Sequence, residues 1–439
     1  MMILLVIHMK INIRHRSRRK DLRRNFSRIG SEVDVIPFLT MKFLAQKQEE
    51  LNDNLDEFQK EYGFTFRDYE LLTNIIKKYD KNEDSCLSDV KSALNVLKNS
   101  KNQDIKEIFS RVDDEKITKN NLNDIMDIIE YDDNLTELFK LVNYNQETYD
   151  NAVDRIIPPT IDLLSKLATI NHEVKEFYDP SSMDAQTVTA LEHFDHATLY
   201  LKNDADYIHA KQNLLINGIS SDKVSLYKKE ILIDEDSKKY DTIVSVPFEK
   251  RLKRNDKTKI KKYDKYITKS SNSIHLLNLI EHMDDNGIIV TTTTQDLLVK
   301  SDAQQLRQCL IENNLLDVVI DYDSGFRSRD IIILILNKNK ESEDFLFIKP
   351  KHLLPGLLLP SEEQSIFKSY ENREIIPKFS NIIDKDEIIK NDYNLNPKRY
   401  VYTLDYEKQS IEDILNKQKK CSDRIKELDQ EIEAMLQKR

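Results

Sequence analysis

The chain has 439 residues and a formal net charge of −10, with 39% hydrophobic and 33% charged residues. No apolar run approaches the roughly 18–20 residues that span a bilayer, and Met1 to Met9 is too short for a signal peptide, so no membrane partner is expected and the chain is read as cytoplasmic. Cys86, Cys309 and Cys421 lie far apart, which gives neither a disulfide framework nor metal-ligand spacing, and no metal site is expected. The acidic balance excludes a protein that coats nucleic acid by itself, though not one with a local basic surface.

One such region opens the chain. Residues 1–34 form a basic arm in which Arg14, Arg16, Arg18, Arg19, Lys20, Arg23 and Arg24 fall between Lys10 and Arg28. It reads as a phosphate-binding arm, a solvated tail, or an extension from an upstream start. From 35 to 155 the pattern is helical. Leu71, Leu72, Ile75 and Ile76, and again Ile105, Ile108 and Phe109, recur at three- and four-residue spacings. Polar clusters such as Asn82-Glu83-Asp84-Ser85 separate the helices.

Pro158-Pro159 marks a change of pattern. From 156 to 350, short apolar runs alternate with helical segments, which predicts a mostly parallel sheet with helices on both faces. The expected strands are 176–178, 197–201, 224–227, 241–246, 287–291, 317–321 and 330–336. The expected helices are 183–193, 207–217, 272–283 and 303–313. The last two strands follow each other closely and predict an antiparallel hairpin at the sheet edge. Residues 351–439 form a C-terminal region. Within it, 405–439 places Ile411, Gln418, Ile425 and Ile432 at heptad a positions and Ile414, Cys421, Leu428 and Met435 at d. That spacing predicts a coiled-coil helix for a partner chain, or an amphipathic helix packed on its own domain.

Three stretches carry a resemblance: Tyr240-Asp241-Thr242-Ile243-Val244-Ser245-Val246-Pro247-Phe248; the region Ser273 to Lys338, with Leu315-Leu316-Asp317 entering a strand and Leu336-Asn337-Lys338 leaving one; and Asn391-Asp392-Tyr393-Asn394-Leu395-Asn396-Pro397-Lys398-Arg399-Tyr400-Val401. From about Ile156 onward the chain resembles the modification (M) subunits of type I restriction–modification systems, which are adenine-specific (N6) DNA methyltransferases. The resemblance implies a Rossmann-like methyltransferase fold and S-adenosylmethionine as cofactor. The partners it implies are DNA, a specificity subunit, a second M subunit and a restriction (motor) subunit.

It also implies where the chemistry sits. Such enzymes flip the target base from the duplex and bind its amino group at an Asn-Pro-Pro-Phe turn. Here Val246, Pro247 and Phe248 are set against that motif, with Val246 at the Asn place and one Pro missing. Valine offers no acceptor, and a buried unpaired amine costs ~1–3 kcal/mol. Phe248 is left to stack on a base or to serve as core. The family's cofactor turn, Asp-Pro-x-Cys-Gly-Ser-Gly, corresponds to Asp179, Pro180, Ser181, Ser182, Met183, Asp184 and Ala185. Both glycines are lost in a chain that has only six, so the backbone approach they permit is blocked. The acid for the cofactor ribose is missing at the second strand, with Asp204 as the substitute in reach. Glu230 keeps the acid of the third. Lys250, Arg251, Lys253, Arg254, Tyr263 and Tyr266 are placed to face DNA, or form a charged loop. The expected protein is therefore a catalytically impaired M subunit retained for DNA clamping and assembly. Two alternatives stand: an active methyltransferase with a divergent motif, and a pseudo-methyltransferase scaffold.

Overall fold

The computed structural model describes residues 25–29, 33–81, 83–151, 158–229, 236–247, 260–266, 270–322, 331–350, 360–401 and 418–419. Helices α1 (Ile36–Glu50), α2 (Leu55–Tyr62), α3 (Leu72–Asp80), α4 (Cys86–Lys98), α5 (Gln103–Ser110), α6 (Lys119–Ile129) and α7 (Leu135–Asn151) make a helical layer. Local chemistry sets its corners. Gly63 ends α2 at φ +74, where a Cβ would meet the backbone nitrogen of Asn102 at 2.3 Å, so only glycine fits the turn. Asn102 caps α5 by accepting from Asp104 and Ile105 N–H. Thr118 and Asn121 form a reciprocal capping box on α6.

The second half alternates as its pattern predicts. In order come α8 (Pro158–Thr169), β1 (Glu176–Ser182), α9 (Gln186–Thr189), β2 (His196–Leu201), α10 (Asp204–Ile216), β3 (Val224–Lys228), β4 (Tyr240–Ser245), α11 (Ser271–His282) and β5 (Met283–Thr294). Then follow α12 (Gln295–Val299), α13 (Gln304–Glu312), β6 (Leu316–Tyr322), β7 (Ile331–Asn337), β8 (Phe345–Ile348), α14 (Pro360–Asn372), β9 (Ser380–Ile383), α15 (Lys385–Lys390) and α16 (Pro397–Tyr400). All of the expected strands are present. The helix expected over 183–193 shrinks to α9, because β1 runs on to Ser182 and the chain must turn at Met183–Ala185.

The strands form one sheet in the order β3-β2-β1-β4-β5-β7-β6-β8-β9. β1 through β5 pair in parallel, and β7 runs antiparallel between β5 and β6. The β6–β7 hairpin is not the sheet edge, as the sequence pattern suggested. The fully buried run Phe345–Ile348 adds β8 in parallel to β6, and β9 pairs with β8 beyond position 350. Four consecutive apolar residues must be covered on both faces, which a place inside the sheet provides.

Two apolar clusters fill the two faces. One holds Ile243, Ile289 and the apolar side of α11; the other holds Val244, Val290 and α8. The helical layer has its own core, which takes in Ile208 and Ile216 of α10, while Ala210 and Leu214 of the same helix face the sheet. α10 therefore joins the two halves. Lys211 pairs with Asp104 at 2.7 Å and Glu107 at 2.6 Å of α5, and His209 with Asp34 at 3.0 Å. No described helix is long and apolar enough to cross a membrane. The heptad segment lies outside the described residues except for Gln418 and Lys419, which are helical and exposed.

Candidate cofactor and base site

Strand order reverses between β1 and β4, and the carboxyl ends of strands at such a switch point are where open α/β sheets bind ligands. Here those ends are joined to each other. The Asp179 carboxylate accepts from the Ser181 N–H at 3.0 Å, the Ser181 hydroxyl at 3.3 Å and the Thr187 hydroxyl at 2.8 Å. Ser181 Oγ lies 2.7 Å from Ser245 Oγ and accepts the Val246 N–H at 3.1 Å. Ser245 Oγ lies 2.8 Å from His275 Nε2, and its carbonyl accepts from Thr291 Oγ1 at 2.9 Å.

The chemistry of the ends fixes the direction of this chain. An ionised carboxylate only accepts, so Ser181 donates to Asp179 and receives the Ser245 proton. Ser245 in turn receives the His275 Nε2–H. Burial holds the imidazole neutral, with its pKa lowered to about 4. Burial also pushes Asp179 up to about 6, against the opposing bonds from Thr187 and Ser181. The whole chain is more than nine-tenths buried.

This arrangement moves the focus of the base-binding turn. β4 ends at Ser245, not Val246. Val246 supplies its backbone N–H to Ser181 and its side chain to the apolar cluster beneath α8. Without a gap, Ser245-Val246-Pro247-Phe248 lies on Asn-Pro-Pro-Phe and puts a hydroxyl at the Asn place. Ser245 and His275 were missed in the sequence because a single Ser within an apolar strand, and a His within an apolar helix, are ordinary there. The signal was Ser245's place at the strand end. Phe248 lies outside the described residues.

The turn after β1 is closed as well. Met183 and Ala185 stand at the two glycine places of the motif, and Ala185 has φ +63. A left-handed conformation costs an L-residue ~1–2 kcal/mol. The backbone thus keeps a glycine's shape after the glycine has gone. Asp184 accepts from Asn143 Nδ2 of α7 at 2.5 Å and from the Gln186 N–H at 3.1 Å, while its carbonyl accepts from Asn213 of α10 at 2.8 Å. Ser182 Oγ accepts the Ala185 N–H at 3.2 Å. Every residue from Ser181 to Thr187 is buried. These residues do not fit S-adenosylmethionine. Side chains stand at both glycine places, with Ala185 packed into the apolar cluster of α8 and α10; a carboxylate sits in the turn, and its polar groups are already bonded within the protein. Asn143→Ala is expected to lower stability by about 1.5–3 kcal/mol, the worth of a hydrogen bond to a charged group, as read from urea unfolding. A loss under ~0.5 kcal/mol would show that α7 does not hold the turn.

The remaining expected site residues are scattered. Pro180 lies within β1, beside Ser181 and Ser182. Asp204 opens α10 past the end of β2, exposed, and is engaged by Lys228 at 3.1 Å and Arg111 at 3.4 Å, which hold its pKa below the usual carboxylate range. Its charge is met by protein cations. Glu230, Lys250, Arg251, Lys253 and Arg254 lie outside the described residues. Tyr266 ends a short 3-10 helix, Lys261–Tyr266. Tyr263 has its ring buried in the cluster under α11, and its hydroxyl donates to Glu281 at 2.6 Å. Among the described residues, no group of three or more His, Cys, Asp or Glu could hold a metal.

Known proteins share this frame. The sequence model of a family described as N-6 DNA Methylase matches residues 185–409. The type I restriction enzyme MjaVII methylase subunit of Methanocaldococcus jannaschii is 27% identical over 239 residues, 48% of this chain and 41% of that protein. The MjaVIII methylase subunit of the same organism is 25% identical over 235 residues, 46% of this chain and 41% of that protein. The chain thus spans about four-tenths of the length of these curated relatives. A type I restriction–modification system methyltransferase subunit from Streptococcus thermophilus superposes with a TM-score of 0.68 at 16% identity, covering 89% of this chain and 100% of that one. At that identity the likeness is one of fold. The family match, by contrast, takes in half of the sequence, from Ala185 at the end of the closed turn through β2 to β9 and on past α16, and on that ground the chain belongs to the N-6 DNA methylase family.

Proposed function

We propose that the chain is a modification-type subunit of a type I restriction–modification-like complex, impaired in methyl transfer and retained for DNA clamping and subunit assembly in the cytoplasm. The observation that carries this reading is the turn Ser181–Thr187, buried and bonded to α7 and α10 where a cofactor would lie. The names of the relatives, which are methylase subunits of type I enzymes, supply the complex. DNA, a specificity subunit, a second modification subunit and a restriction (motor) subunit are its proposed partners. No step through S-adenosylmethionine is assigned to this chain.

One observation favours an active enzyme with a divergent turn instead: Ser245 places a hydroxyl at the Asn position. Against it, that hydroxyl already bonds Ser181 and His275. Calorimetric titration with S-adenosylmethionine separates the readings. No heat is expected up to about 1 mM, where binding is worth only ~4 kcal/mol. Micromolar affinity would reinstate the active enzyme. Co-expression with a specificity subunit tests assembly, and two separate peaks on gel filtration would remove that part of the reading.

A further inference from the structure

β3 is the last strand of the sheet on its side among the described residues. It pairs with β2 in parallel from Ala197↔Val224 to Leu201↔Lys228. The Ala197 N–H donates to Lys223 O at 2.9 Å, and the Lys229 N–H to Leu201 O at 2.8 Å. In a parallel ladder alternate residues point their main-chain groups to alternate sides. The main-chain groups of Lys223, Ser225, Tyr227 and Lys229 therefore face β2, and those of Val224, Leu226 and Lys228 face outward. Such an edge is a template for another strand unless it is covered or blocked.

Beside this edge lies a cleft of about 1010 Å³, with Val224 and Leu226 on one side and Phe43, Ile105 and Ile108 of the helical layer on the other. Its charge is lopsided. Glu50, Glu57, Glu61 and Asp104 line it against Lys47 and Lys211. Lys47 is taken by Glu50 at 2.6 Å, and Lys211 by Asp104 and Glu107. Glu57 and Glu61 are left without a described cation. An acidic cleft repels nucleic acid, whose affinity comes from cations on phosphates.

We propose that this edge and cleft form a docking site for an extended segment of a partner protein, with apolar residues at alternate positions and Lys or Arg between or beside them. The segment would add to the sheet next to β3. Main-chain bonds to Val224, Leu226 and Lys228 give the pairing, and side-chain alternation sends every second residue into the cleft. Lys or Arg at the rim meets Glu57 and Glu61. The site is separate from the switch point and does not rest on the reading of the closed turn.

The test is selection of a random phage-displayed peptide library, about ten residues long to exceed an average strand, on the full chain. The expected result is an enriched pattern of alternating apolar and basic residues, with binding that weakens as salt rises. Leu226→Pro removes one outward N–H without touching the ladder to β2 and should weaken the selected peptides about five- to tenfold. The double variant Glu57→Lys, Glu61→Lys changes only exposed side chains and should weaken them about tenfold or more. An unchanged urea midpoint for the double variant keeps the test valid if Leu226→Pro unfolds. No enrichment, an acidic pattern, or undiminished binding to the double variant would overturn the proposal. So would a concentration-dependent dimer whose interface is β3, since the occupant would then be a second copy.

Discussion

Asp179→Asn should stabilise the protein by about 3 kcal/mol at pH 7, with the gain vanishing near pH 4. The fully buried carboxylate has its pKa raised from 3.8 to about 6, and at ~1.4 kcal/mol per tenfold change in Ka its ionised form costs the fold about 3 kcal/mol. The folded state holds its proton more tightly than the unfolded chain. Stability from this group is therefore full below pH 3.8 and lost as pH rises through 6. Asn removes that loss and keeps the bonds, with Oδ1 accepting from Ser181 and Nδ2 donating to the Thr187 hydroxyl.

His275 works in the opposite sense. Its pKa is lowered from 6.5 to about 4 by burial, so its contribution is present above pH 6.5 and lost as pH falls toward 4. In the wild type the two groups offset each other between pH 4 and 6. In Asp179→Asn the His275 contribution is no longer offset by Asp179, so the variant should lose its advantage over the wild type steadily as pH falls from 6 to 4. Urea unfolding at pH 7, 6, 5 and 4 measures both. A variant no more stable than wild type at pH 7 would mean that the Asp179–Ser181–Ser245–His275 chain is not ordered as described.

Tyr400→Ala should destabilise by about 3–5 kcal/mol, the usual cost of removing a buried aromatic ring. Tyr400 is buried, and its ring lies 4.5 Å from that of Phe347 in β8. Its hydroxyl donates to Asn394 O at 2.5 Å, and its own carbonyl accepts from Asn381 Nδ2 at 3.0 Å. Upstream, the Leu395 N–H donates to Leu298 O at 3.1 Å, and Arg307 Nε to Tyr393 O at 2.7 Å. The segment Asn391–Val401 is thus strapped across α12, α13 and β8. Tyr400→Phe should cost only ~0.5–1.5 kcal/mol, one hydrogen bond. The difference between the two variants, read from thermal or urea unfolding, isolates the ring. A loss under ~1 kcal/mol for Tyr400→Ala would mean that the strap is not docked. The stretch most specific to the resemblance is, in this chain, part of the folded core.

The sequence carried the alternation well. Seven strands and the helices around them were legible because a buried parallel strand must be apolar on both faces and must be followed by an amphipathic crossover. β8 and β9 were not, since Phe345–Ile348 is too short to tell from a buried loop until β6 has an open side to receive it. The bond from the Tyr263 hydroxyl to Glu281 was not legible either, since Glu281 lies 18 positions away in sequence and only the packing of α11 brings it to the phenol.

The motif stretches by themselves carried the resemblance to the family and, set against its cofactor turn, the loss of both glycines, since each is a property of residue order. Only the tertiary structure decided what replaced them. The Asp179–Ser181–Ser245–His275 chain joins residues from β1, β4 and α11, and Asp184 is held by α7 and α10. Hydrogen bonds between elements so distant in sequence have no periodicity to reveal them, and the burial that makes them strong exists only once the sheet and the helices packed on its two faces have closed around them.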